Sequence, residues 1–99
     1  MTGPRAYVRT PAALWRTLPG EVLVLGVPTP AAGAPGNELV RLSGSAPVLW
    51  QLLERPHRID ELVAEVARVF RVPVAEVDPA VRDAVARLRT AGAVAEVDP

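Results

Sequence analysis

Apolar positions change period once along this chain of 99 residues. Val40 and Leu42 alternate with Arg41, as in a strand with one buried face. A break follows at Ser43, Gly44 and Ser45. Beyond it, Ala46, Leu49, Trp50 and Leu53 fall at i, i+3, i+4 and i+7, a single helical stripe. Ser45 is placed to cap that helix. Pro47 is tolerated in its first turn, where a missing N–H needs no partner. The pattern predicts strands before Ser43 and helices after it.

Residues Met1 to Pro11, rich in Pro, Gly and Thr, read as a loose arm. Leu14 to Leu18 is a first strand, ended by the turn signal Pro19-Gly20. Glu21 to Val27 is nearly continuously apolar, and both its faces are apolar, which places it centrally. Pro28, Pro30, Gly33, Pro35 and Gly36 make Pro28 to Asn37 a loop longer than a tight hairpin turn. A third strand, about Glu38 to Leu42, returns from it to an edge. The expected sheet is a three-stranded antiparallel meander.

The first helix is expected over Ala46–Glu54, ended at Arg55-Pro56-His57-Arg58 because Pro56 cannot continue it. The second spans Ile59–Phe70 on the stripe Ile59, Leu62, Val63, Val66 and Phe70. Asp60 and Glu61 sit at the positive end of its dipole. Arg71 to Val77 reads as a connector containing Pro73. The third helix is expected over Pro79–Ala91, with Asp78 as N-cap and Pro79 at the first helical position. Its stripe is Val81, Val85 and Leu88, with Ala84 and Ala91 beside it, and Gly92 is its C-terminal cap. Ala93 to Pro99 reads as a short strand or a frayed tail. The domain plan is an arm at 1–10, one domain at 11–94 and a tail at 95–99. The fold class is α+β.

Composition narrows the chemistry. Aromatics are 4% of the chain against 49% hydrophobic residues, so aliphatic packing must fill one small core. The absence of cysteine excludes a disulfide framework and a thiolate metal site. Eleven basic and eleven acidic residues cancel, leaving no global field for nucleic acid or an anionic membrane. No apolar run is long enough to span a bilayer, and Met-Thr-Gly-Pro-Arg lacks the apolar core of a signal peptide. A soluble, cytoplasmic protein is expected.

No catalytic constellation is visible, and no cofactor is expected. His57 is the only histidine, so a multi-histidine metal site is impossible; it reads as a solvated turn residue. Gly33 to Gly36 lacks the Lys-Ser/Thr and following helix of a phosphate loop. Trp15 and Trp50 read as core or near-core rather than as a platform for bases. Asp83 and Arg87 read as an i, i+4 surface pair. An enzyme is not expected.

Three short strands followed by three helices outline a winged helix-turn-helix-like arrangement. Pro11-Ala-Ala-Leu14-Trp15-Arg16, Glu21-Val-Leu-Val-Leu25, and Leu42-Ser43-Gly44-Ser45-Ala46 with Trp50 and Leu52-Leu53 resemble the PqqD-like family. Ile59-Asp-Glu-Leu62-Val63 and Asp78 through Leu88-Arg-Thr-Ala-Gly92 continue the resemblance, which covers about residues 11 to 94. Pro56-His57-Arg58 departs from the Gly-containing turn of similar proteins, and the Pro28–Asn37 loop is longer than theirs. The resemblance implies a recognition element for ribosomally made, post-translationally modified peptides. Such a domain binds a precursor's leader peptide as an added strand on the edge of the third strand, in the groove against the third helix. It then delivers the precursor to a separate modifying enzyme, such as a radical SAM enzyme, a leader peptidase or a cyclase.

The residues support that reading on their own terms. An edge strand offers unpaired N–H and C=O groups to an extended peptide. About three backbone hydrogen bonds at roughly 1 kcal/mol each do not overcome the cost of association, so apolar anchors are required. The expected contacts are the backbone of Leu39, Val40, Arg41 and Leu42, with Val81, Val85 and Leu88 as walls. Arg82 and Arg89, seven apart, would pair with leader carboxylates. The plainer alternative makes the three apolar residues core and both arginines solvated. A winged-helix transcription factor, with the third helix in the major groove and the long loop as wing, is the second reading; zero net charge argues against it. A domain that only dimerises is the third.

Overall fold

The computed structural model describes residues 5–26 and 38–98. In chain order its elements are β1 (Ala6–Arg9), β2 (Leu14–Leu18), β3 (Glu21–Leu25), β4 (Leu39–Ser43), α1 (Ala46–Leu52), β5 (His57–Arg58), α2 (Ile59–Phe70), α3 (Val74–Thr90) and β6 (Val94–Val97). The fold is α+β, with antiparallel sheets and three helices. Val27 and the Pro28–Asn37 loop lie outside the described residues, as do Met1 to Pro4 of the arm.

The meander expected from the sequence is present. β3 pairs with β2 on one side and β4 on the other, both antiparallel, so among the described residues β4 is an edge. The register sets Val22 opposite Leu42 and Val24 opposite Val40. Directly opposed residues share a face, so these four point together, and all are buried. The other face carries Leu23 and Leu25, with Leu14 and Leu39 on the flanking strands about two-thirds exposed. The two apolar faces of Glu21–Leu25 thus mark a central strand that is buried on one side only.

A second sheet, ordered β5-β1-β6, corrects the division into strands first and helices afterwards. Ala6 to Arg9 form a strand inside the segment read as a loose arm. It pairs antiparallel with His57–Arg58 and with Val94–Val97. Of the two readings of the C-terminal segment, the strand is the one found. His57 is half-buried in β5, not a solvated turn residue. These pairings join residues about fifty and about ninety apart, and no local pattern announces them.

Ser45 makes no side-chain cap to α1, which ends at Leu52. At α2, a Glu61 carboxylate oxygen accepts the Arg58 backbone N–H at 2.7 Å, closing the first turn. Leu62, Val63 and Val66 are buried, whereas Phe70, assigned to the same stripe, is 43% exposed. The start of α3 differs more. The helix begins at Val74 with Pro73 as N-cap, and Pro79 lies inside it. Asp78 and Pro79 make a good local start signal, but Val77 is buried one turn before Val81, and that burial carries the helix upstream. Pro79 has no N–H for the Ala75 carbonyl, and its ring faces solvent, where the mismatch costs least.

Two helix ends close with left-handed residues. After α3, Gly92 has φ 77°, and Ala93 N–H donates to the Leu88 carbonyl at 2.9 Å while Gly92 N–H donates to Arg89 at 3.1 Å. Gly92 is therefore the expected cap. After α2 the same paired bonds form at Val72 and Arg71, but the left-handed residue is Arg71, with φ 55°. Gly26, by contrast, is required by proximity. A Cβ there would lie 1.8 Å from the Ala91 carbonyl oxygen, because the end of β3 runs directly under the end of α3.

Trp50 is fully buried, and β1 is clasped to it through Arg9. The Arg9 guanidinium lies 4.6 Å from the Trp50 ring centroid and 4.8 Å from that of Trp15, and Arg9 Nε donates to the Trp50 carbonyl at 2.8 Å. The two indoles meet edge to face at 6.1 Å. Trp50→Ala is expected to cost about 3–5 kcal/mol, read as the loss in a chemical denaturation curve. A midpoint near that of wild type would contradict this placement. Gly26→Ala is expected to cost about 2 kcal/mol or more, and Arg71→Gly to gain about 0.5 kcal/mol by relieving the left-handed strain. The same curves read both, and equal midpoints for the two variants would contradict the geometry.

Candidate functional site

α3 runs past the free edge of β4, and a hollow of about 180 Å³ lies between them. Arg41, Leu42 and Ser43 line it from β4, and Ala46 and Leu49 from α1. Ala80, Val81, Asp83, Ala84 and Arg87 line it from α3. Ala80, Asp83, Ala84 and Arg87 are spaced i, i+3, i+4 and i+7, so one stripe of α3 faces the strand. Two of the four are alanines, and their short side chains make the hollow. Among the described residues, neither Asp83 nor Arg87 makes an ion pair within 4.0 Å, so the surface pair expected between them is not formed.

The site residues anticipated from the sequence divide into three groups. Leu39, Val40, Arg41 and Leu42 all lie on the edge strand; Val40 and Leu42 point into the core, Leu39 and Arg41 outward. Arg41 leans to Glu21, with Nε 3.5 Å from its carboxylate. Val81 and Val85 are 2% and 3% exposed. They are core residues, which is the plainer alternative, although Val81 also forms part of the floor of the hollow. Arg82 and Arg89 lie on another face of α3. With Tyr7, Ile59, Val85 and Ala86 they line a second hollow of about 210 Å³, away from β4.

On that far face the charges are already matched. Arg82 Nε donates to Asp78 at 2.9 Å, and this bond raises the Arg82 pKa above its ordinary value. Arg89 approaches Glu96 at 2.9 Å. Tyr7 donates its hydroxyl to the same Glu96 carboxylate at 3.1 Å. The residues that sequence reasoning missed are Ala80, Asp83, Ala84 and Arg87. Their own helical stripe was readable, but nothing in the sequence fixes which stripe of α3 faces β4.

A family model described as Coenzyme PQQ synthesis protein D (PqqD) matches residues 21–94. The chain belongs to the PqqD family. The match bears out the resemblance and encloses β3, β4 and all three helices, hence the whole hollow between β4 and α3. The strand β1 lies before the matched residues. No curated protein and no solved structure matches this PqqD family member. Among the described residues, no group of three or more histidine or acidic side chains is placed to hold a metal, and no helix is long and apolar enough to cross a membrane.

Tyr7 is the only tyrosine, so it reports on the far face directly. Burial raises its pKa, and the hydrogen bond to Glu96 and that carboxylate's charge add to the effect; Arg89 and Arg5 oppose it. An absorbance titration is expected to place the Tyr7 midpoint above the ordinary 10.0. The folded-state pKa is raised, so this contribution to stability is present below the unfolded value and lost as pH rises through the folded one. A midpoint at or below the ordinary value would mean that the Tyr7–Glu96 contact does not persist in solution.

Proposed function

We propose that this protein binds the leader of a ribosomally synthesised precursor peptide by strand addition and presents it to a peptide-modifying enzyme. The observation that carries the reading is a free strand edge beside an open hollow, within a member of the PqqD family. The extended leader adds to the backbone of Leu39–Leu42 and extends the β2–β3–β4 sheet by one strand. Backbone bonds supply register, while side chains entering the hollow over Ala80, Ala84 and Leu42 supply the apolar burial that association requires. The protein does no chemistry itself; a radical SAM enzyme, a leader peptidase or an ATP-dependent cyclase acts on the precursor it holds.

Among the described residues the sheet has a second free edge at β2, which borders a hollow against Pro47, Val48 and Gln51 of α1. Amide exchange separates the two edges. The leader of a precursor encoded beside this chain is expected to slow exchange within residues 39–43 and to leave 14–18 unchanged. Affinity is expected to change little between low and moderate salt, because backbone bonding and apolar anchors dominate. A duplex-DNA reader would lose orders of magnitude over the same range. Protection confined to 14–18, or tight and salt-sensitive binding to a duplex with no leader binding, would overturn the reading.

A further inference from the structure

The two faces of α3 treat their charges oppositely. Arg82 and Arg89 are held by Asp78 and Glu96. Asp83 and Arg87, on the stripe facing β4, make no ion pair among the described residues. One helical turn separates these two, about 6 Å along the axis at about 1.5 Å per residue. In an added strand, every second side chain faces α3, and successive facing side chains lie about 6.6 Å apart. For a guest strand running alongside α3, the two spacings match closely enough for neighbouring inward side chains to meet Asp83 and Arg87 in turn.

We propose that Asp83 and Arg87 read the charge order of the bound peptide. The preferred guest carries a basic and an acidic residue two positions apart, the basic one opposite Asp83 and the acidic one opposite Arg87. A bulky apolar residue on the same side rests over Ala80 and Ala84, where a larger helical residue would close the hollow. For a given peptide the pair also fixes direction, because a strand entering the other way presents the same two residues to like charges. Backbone pairing with β4 favours one strand direction, antiparallel being the more stable per residue, so one order of charges along the peptide is favoured over its reverse. Arg41 also borders the hollow, but its guanidinium leans to Glu21 on the outer face, with Nε 3.5 Å from that carboxylate. This inference rests on the strand-addition reading and adds the class of peptide that the site selects.

The test does not require the natural leader. A random library of twelve-residue peptides displayed on mRNA is selected on the wild-type protein and on the Asp83→Arg/Arg87→Asp double variant. Both side chains are exposed, so the variant is expected to melt as wild type does. Wild type is expected to enrich one order of opposite charges at a spacing of two, and the double variant the reverse order. A second measurement uses a peptide enriched by wild type. Replacing its acidic residue by Gln is expected to weaken binding to wild type about two- to fivefold, the range of an exposed ion pair, and to leave binding to Arg87→Gln unchanged. The same charge order from both proteins, or no bias at spacing two, overturns the charge-reading proposal and leaves strand addition standing. If neither protein enriches any peptide, strand addition fails and the proposal fails with it.

Discussion

The Arg9 guanidinium is held between the indoles of Trp15 and Trp50, and the placement of α3 follows from it. Arg9 ends β1, and its Nε reaches the Trp50 carbonyl at the heart of α1. Two backbone bonds reinforce the attachment: Arg9 N–H donates to Leu53 and Thr10 N–H to Ala93. Burial lowers the Arg9 pKa, and the nearby Glu54 carboxylate partly restores it. An arginine nonetheless stays charged, because its ordinary pKa is far above any working pH. The ring faces replace the water that the cation gives up. Among the described residues, Arg9 Nη2 and Trp50 Nε1 are both buried without a partner, so the clasp specifies position at some cost in stability. What it positions is β1, hence β6 beside β1, hence the end of α3 that runs into β6.

How much of this was legible depended on range. The meander could be read because each strand pairs with its sequence neighbour, and α2 because Ile59, Leu62, Val63 and Val66 announce themselves within three turns. Gly92 was readable as a cap from its place after Ala91. The second sheet was not readable. Ala6 to Arg9 and Val94 to Val97 are four residues each, and each becomes a strand only because the other is present. Arg9 looked like one arginine among eleven in a loose arm, and nothing local marks it as the partner of two tryptophans. The start of α3 failed for the opposite reason: a strong local signal at Asp78-Pro79 lost to the burial of Val77.

The candidate site shows the same division. The edge strand was legible from the alternation at Val40 and Leu42. The apolar stripe of α3 was legible too, but a stripe that regular belongs to the core, and Val81, Val85 and Leu88 are indeed buried. Residues that border a groove are found beside such a stripe, and seventeen residues of helix offer two flanks. Arg82 and Arg89 lie on one flank, Asp83 and Arg87 on the other. The choice between them depends on where β4 sits, which is a long-range fact of the same kind as the pairing of β1 with β6.

Each flank of α3 is built for what it faces. The far flank meets β1 and β6, and there the protein itself supplies Glu96 and the Tyr7 hydroxyl, so its cations are satisfied within the chain. The near flank meets a strand whose edge is unpaired among the described residues. Glu21 engages Arg41 from the outer face of the sheet, and β4 directs only Val40 and Leu42 inward, with no charge for α3 to answer. Large side chains at 80 and 84 would have packed onto Leu42 and closed the gap. The alanines there keep it open, and among the described residues the charges at 83 and 87 are unmatched at its rim. Among the described residues, the unmatched rim and the unpaired backbone edge are two parts of one incomplete layer, and the added strand proposed above would complete both together.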